Sequence, residues 1–227
     1  IAIGRKGWGE RELEVLVPEI TKEKWVALNW AAMRRLLRAH LVQSDTGLWR
    51  FFHAQMGRSV YKYYLADEIE KEALHLQLSN YLQNLSRDNS LRYEIMYHLL
   101  GSKNVAKAAS YYSQKLDEKE NNEATETIGA YIITSADEQI TQQRLNYVLS
   151  LLDVTAIEKN HKITLTSKYL FEIGPFIKNK ISLVTEYEYL SELNKKLTVL
   201  TIESSEFLYN LVATYVKLGD LKMVLGD

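Results

Sequence analysis

The chain has no cysteine among its 227 residues. That excludes disulfide staples and thiolate metal sites, and it suits a reducing compartment, so a cytoplasmic location is expected. Proline occurs only twice, as Pro18 and Pro175, and glycine ten times. Proteins built from strands and tight turns need those residues, so their scarcity favours long helices. No apolar run approaches the roughly 20 residues that span a bilayer, and no signal peptide opens the chain, so no membrane partner is expected. Catalytic motifs are missing as well. The sequence holds no Gly-rich phosphate loop followed by Lys-Ser/Thr, no GxGxxG, no HExxH and no GxSxG elbow. His40, His53, His75, His98 and His161 stand at spacings unlike a metal cluster. Neither catalysis nor a metal site is expected within this chain.

What is present is the composition of an ordinary soluble protein, 46% hydrophobic and 25% charged. The net charge of −1 divides unevenly. Residues 1–65 carry 11 Lys/Arg against 6 Asp/Glu, and residues 66–227 carry 17 against 23. The two parts are therefore expected to attract one another or different partners, unless the imbalance is only the scatter of solvated helix faces. The chain opens on Ile1 without methionine and closes on Leu225-Gly226-Asp227, and both ends read as cuts through a longer protein.

The periodicity predicts an all-α protein. A short helix is expected from Glu10 to Val17, stopped by Pro18, whose ring clashes with the preceding turn. A second is expected from Thr21, as N-cap, to about Val42, with Trp25, Leu28, Ala32, Met33, Leu36 and Leu37 inward, either unbroken or with a break near Asn29. Ser44-Asp45-Thr46-Gly47 is a turn cluster, and the aromatic run from Leu48 to His53 is the best strand candidate. Helix, helix, turn, short strand, helix is the order of a winged helix with Ser44 to Phe52 as its wing, which sets a domain at 1–66.

Residues 67–227 read as helix after helix. Leu74, Leu78, Tyr81, Leu82 and Leu85 make one amphipathic stripe, Leu91, Ile95 and Leu99 the next, and Val105, Ala108, Ala109 and Tyr112 another. Lys115 to Glu123 is charged and reads as a loop. Pairs at about 124–135 with 138–152 and 162–173 with 182–200 follow, the last interrupted by Gly174-Pro175. Leu208, Leu211, Tyr215, Gly219-Asp220 and Val224 fall at the spacings of a tetratricopeptide (TPR) unit, with a turn at Gly219. Helix pairs recurring every few tens of residues predict an α-solenoid of TPR-like type.

Three groups of residues are candidates for function. His53 opens an amphipathic helix, where unpaired backbone N–H groups and the dipole favour an anion. Either it contacts a phosphate or carboxylate there, or it caps its own helix or fills a polar gap under the wing. Arg34, Arg35 and Arg38, with Arg50 on the wing, could contact nucleic-acid phosphates, or form a solvated face or an interdomain contact. Tyr112, Tyr131, Tyr169 and Tyr215 are candidates for a protein-binding face, since tyrosine supplies area and a polar handle; the alternative is packing between helices.

Four segments carry a family resemblance. The wing and helix Phe51-Phe52-His53, with apolar and aromatic positions following, resembles the winged helix of STAND-class signalling NTPases, the NACHT and apoptotic-ATPase relatives. Ile3 to Leu13 is similar to that domain's Arg-x-Gly-Leu-x-Glu-x-Glu-Leu opening, with Trp8 in place of leucine. Leu74 to Leu82 and Tyr97-His98-Leu99-Leu100 resemble the Leu-His-x-x-Leu and Tyr-His-Leu helices of members that continue into TPR repeats. The resemblance covers residues 1 to about 112. It implies that His53 reaches the β-phosphate of an ADP held by an NTPase domain upstream, so ATP or ADP with Mg belongs to the parent protein and this segment binds none alone. It further implies a protein trigger on the repeats, homo-oligomerisation on activation, and a role in immune or antiviral defence. Two other readings remain open: a winged-helix DNA-binding regulator with a repeat sensor, and a plain TPR scaffold.

Overall fold

The computed structural model describes residues 1–87, 89–133, 137–154, 159–178, 180–199 and 205–226. It is 74% helical, with one small antiparallel sheet of two strands. The chain forms two compact units, Ile1–Glu94 and Ile95–Asp227. No helix among the described residues is long and apolar enough to cross a membrane.

The first unit runs α1 (Glu10–Thr21), α2 (Ala27–Leu36), β1 (Leu41–Gln43), β2 (Trp49–Phe51), α3 (Ala54–Tyr64), α4 (Glu68–Gln83) and a 3₁₀ turn, Ser90–Glu94. Pro18 does not stop α1, which continues to Thr21. A proline in a helix removes one N–H, and the carbonyl deprived here is that of Glu14, an exposed residue within reach of water. Lys22, in the left-handed region at φ 63°, closes the helix by donating to the Pro18 carbonyl. Thr21 therefore ends a helix instead of capping the next, and its hydroxyl donates back to Val17 O at 2.7 Å. α2 begins only at Ala27 and buries Trp30 alone. Leu28 and Leu36, expected inward, are 71% and 82% exposed.

The end of the expected second helix is strand. Leu41, Val42 and Gln43 pair with Phe51, Arg50 and Trp49. The Ser44–Gly47 turn closes this hairpin through Ser44 N–H to Leu48 O and Gly47 N–H to Ser44 O, both 2.9 Å. Trp8 adds a single rung on the other side, exchanging bonds of 3.0 and 2.8 Å with Trp49. Gly7 permits that approach: it sits at φ 96°, and a Cβ there would lie 2.4 Å from Trp49 O. Trp8, Leu13, Leu16, Trp30 and Leu41 are buried in this unit. The acidic side chain of Glu94, itself buried, accepts from the backbone N–H groups of Arg5 and Lys6 and ties the opening segment down. Arg92 donates to the Leu82, Gln83 and Leu85 carbonyls, satisfying the C-terminal acceptors of α4.

The second unit runs α5 (Ile95–Gly101), α6 (Val105–Tyr112), α7 (Glu118–Ile133), α8 (Glu138–Ser150), a 3₁₀ turn (Leu151–Asp153), α9 (Lys159–Lys168), a π turn (Tyr169–Ile173), α10 (Gly174–Ile177), α11 (Leu183–Val199) and α12 (Ser205–Leu225). The segment expected as a loop up to Glu123 is already helix from Glu118, because Asp117 caps α7 by accepting from Glu120 N–H. Gly174-Pro175 does not break its helix either. The Gly174 N–H reaches back five residues to Tyr169 O, forming the π turn. At that register the Leu170 carbonyl would face the nitrogen of Pro175, which has no hydrogen, and Lys217 of α12 donates to it instead at 3.2 Å. α12 also runs unbroken through Gly219-Asp220, so the turn of the expected TPR unit is not there.

Candidate functional site

His53 is the N-cap residue of α3, in extended conformation at φ −99° and ψ 119°, and its imidazole makes no capping bond. Its carbonyl accepts from the N–H groups of Met56 and Gly57. The ring stands edge-on to Phe52 at 4.7 Å, and both residues are exposed. Self-capping is thus removed from the readings for His53, and the exposed ring does not fill a gap under the wing. What remains at the mouth of α3 is an accessible imidazole beside the first helical N–H groups, an arrangement that can accept an anion from outside.

The four arginines do not form one basic face. Arg34 is committed to packing: its guanidinium lies over the rings of Trp30 and Trp49 at 5.5 and 5.2 Å, and 3.7 Å from the Glu10 carboxylate. Cation–π contact between two indoles is the reason α2 can hold a charge against the wing. Arg35 is exposed on α2, Arg38 lies in the turn beyond it, and Arg50 is exposed on β2. Arg34 is therefore withdrawn from any phosphate-binding set.

The tyrosines also divide. Tyr112 and Tyr169 are fully buried and cannot line a recognition face, which corrects the expectation for both. Tyr131 is half-buried, its ring tilted against Tyr147 at 5.9 Å and under the guanidinium of Arg144. Tyr215 is 54% exposed and remains available.

Around the buried tyrosines lies a polar cluster that residue spacing did not single out. The Tyr112 hydroxyl shares a hydrogen bond with Thr125 at 2.8 Å and donates weakly to Glu172 at 3.4 Å. Asn121 and Thr125 of α7 donate to the same Glu172 oxygen at 3.0 and 2.8 Å. Lys168, one helical turn earlier, donates to the Tyr112 carbonyl at 2.8 Å and sits 4.4 Å above the Tyr112 ring. Tyr169 donates to Val148 O at 2.7 Å, and Tyr189 to Tyr169 O at 2.8 Å. Burial pushes the Lys168 ammonium from its ordinary value of 10.5 to about 8, with Glu172 pulling partly the other way. Burial likewise pushes the phenols of Tyr112, Tyr169 and Tyr189 up. The one advance signal was the Lys168–Glu172 spacing of four, a common surface pair. These groups bond one another and backbone carbonyls, so the cluster is a largely buried brace joining α6 and α7 to the end of α9 and the π turn.

No group of three or more metal-ligating side chains occurs among the described residues. No protein-family model, curated protein or solved structure matches the chain, so its sites rest on its own residues.

Proposed function

We propose that this chain is the regulatory and sensor segment of a STAND-type signalling NTPase. Residues 1–66 act as a winged helix that couples nucleotide state to the helical repeats of 67–227, and those repeats bind a protein trigger in cytoplasmic defence signalling. The observation that carries the reading is His53: an exposed N-cap imidazole that leaves its own helix uncapped. A histidine so placed donates to a phosphate oxygen while the N–H groups of the first turn share the charge. The order helix, helix, hairpin, helix over 10–64 supports the same reading.

The fit to a nucleotide is limited to that one contact. The chain has no phosphate loop, so ATP or ADP with Mg would be held by another domain, and His53 would sense its phosphate and hold the closed state. Activation then frees this segment, and the parent oligomerises.

The test is His53→Ala in the full-length protein. Because the imidazole is exposed and makes no capping bond, the substitution should leave the fold intact. Co-purifying ADP should fall and basal activity should rise several-fold, as removal of one charge-assisted contact implies. A variant as silent as the wild type, with ADP retained, sinks the nucleotide-sensing role.

A further inference from the structure

The second unit contains a cleft of about 440 Å³ between α10, α11 and α12, within the size range of small-ligand sites. Pro175, Leu190, Leu221 and Val224 give it an apolar body, and Tyr189 closes one wall. Lys178, Lys217, Glu186 and Asp220 are its charged groups. We propose that this cleft binds a small anionic amphiphile, an apolar chain or ring bearing one carboxylate, with the carboxylate held by Lys217 and Lys178.

Charge is the first argument. The Lys217 ammonium is pushed down by burial and then by Lys178, and the Glu186 carboxylate opposes this less strongly than Lys178 acts. Lys178 thus acts on Lys217 more strongly than Glu186 does, and an anion set between the two ammonium groups would favour both. Among the described residues Lys178 makes no ion pair, and Lys217 donates one hydrogen to Leu170 O, lies 5.7 Å from the Phe171 ring centroid and makes no ion pair either.

The second argument is rigidity. Lys217 is held in place by the carbonyl that the π turn leaves without a backbone donor, so the ammonium is aimed before any ligand arrives. The third is the apolar rim. Leu183 and Val224, which line the opening, are 46% and 67% exposed, and a hydrocarbon body would cover them. The proposal is independent of the nucleotide-sensing reading, since it uses none of the first unit.

Titration calorimetry with decanoate, and with decanol as the uncharged counterpart, tests it on the intact chain. Decanoate should bind saturably at one site, and decanol about tenfold more weakly, the loss expected for one charge-assisted pair. Lys217→Gln should weaken decanoate to the level of decanol. Because that variant also strips the Leu170 carbonyl of its donor, two further variants guard against misfolding. Among the described residues the exposed Lys178 side chain makes no hydrogen bond or ion pair, so Lys178→Gln should weaken decanoate several-fold in a folded protein, and Val224→Trp should block the cleft for both ligands. Equal binding of decanoate and decanol, no saturable binding, or indifference to Lys178→Gln and Val224→Trp overturns the proposal.

Discussion

The two units bury their helices differently. In residues 1–94, α3 buries no residue and α2 only Trp30. Leu28, Leu36, Phe52, Tyr63, Tyr64 and Ile69 are all more than 60% exposed. In the second unit α7 buries a face running from Glu120 to Ile132, and α8 buries Thr141, Leu145, Val148 and Leu149. There, buried tyrosines donate to helix carbonyls, and the exposed apolar residues gather on α12, where Leu208, Tyr209, Val212, Tyr215, Val216, Met223 and Val224 are more than half exposed. A helix that packs on one anchor keeps its other faces for a partner, whereas a helix buried along its length is spent on the fold. Up to α3 the first unit is thus organised around a few indoles, and the second, α12 apart, around a dense interior with a polar brace.

That difference can be broken most sharply at Trp8. It is 2% exposed and links the opening segment to the hairpin, so Trp8→Ala should cost about 3–5 kcal/mol. All four tryptophans lie within the first 49 residues; the fluorescence of the remaining three therefore follows the first unit, and far-UV circular dichroism is dominated by the second. The denaturation midpoint by fluorescence should fall while most helical signal persists. Simultaneous loss of both signals would show that the second unit does not stand on its own core.

Gly129 tests the second unit from the other side. A Cβ built there lies 2.1 Å from the Phe176 ring, so Gly129→Ala should overpack the α7–α10 contact at a cost of about 1–3 kcal/mol, against the usual gain for alanine in a helix. Urea denaturation followed by circular dichroism reads it, and a stabilised variant would mean that the Phe176 ring yields freely.

A smaller effect is expected from pH. The folded value of Lys168, about 8, lies below its ordinary 10.5, so the unfolded chain binds more protons between those values and stability rises with pH there. At lower pH the protonated lysine is a constant cost of about 1 kcal/mol once solvent contact is allowed for. Tyr112, Tyr169 and Tyr189 act oppositely: their raised values mean that the folded state keeps protons the unfolded chain loses above its ordinary value of 10.0. Stability of the second unit should therefore climb above pH 8 and turn down past about pH 10. Lys168→Met should shrink the climb to the part that Lys217, also pushed down by burial, contributes, and keep the fall; a flat profile in the parent protein contradicts the burial of both kinds of group.

Where elements were legible, a strong local pattern coincided with a local stop signal. The stripe of Leu78 and Leu82 became α4, the alanines of 105–112 became α6, and Ser44–Gly47 became the hairpin turn. Errors arose where a neighbour decided the outcome. Leu41–Gln43 reads as the end of a helix, yet it is strand because β2 lies alongside. Pro175 reads as a break, yet a π turn and Lys217 together absorb its missing donor. Gly219 reads as a turn, but helix continues through it. For the sites, His53 was placed correctly at a helix mouth because strand and helix adjoin in sequence. The fate of Arg34, Tyr112 and Tyr169 depends on Trp49, Glu172 and Val148, which no spacing along the chain connects to them.

The smallest expected effect carries the most information about the first unit. Leu36 on α2 is 82% exposed, so Leu36→Ser removes almost no buried surface and should change stability by less than about 0.5 kcal/mol. Leu28→Ser, at 71% exposure, should behave alike, and the double variant should be additive, since neither side chain is buried in the fold. Thermal denaturation followed by tryptophan fluorescence measures all three. If either substitution instead costs more than 1 kcal/mol, the α2 face is already covered within the chain, and the contrast between a sparse first unit and a dense second one fails. If stability holds while association with the rest of a full-length protein weakens, α2 is the face by which this unit is held, and the exposed apolar residues have their explanation in binding rather than folding.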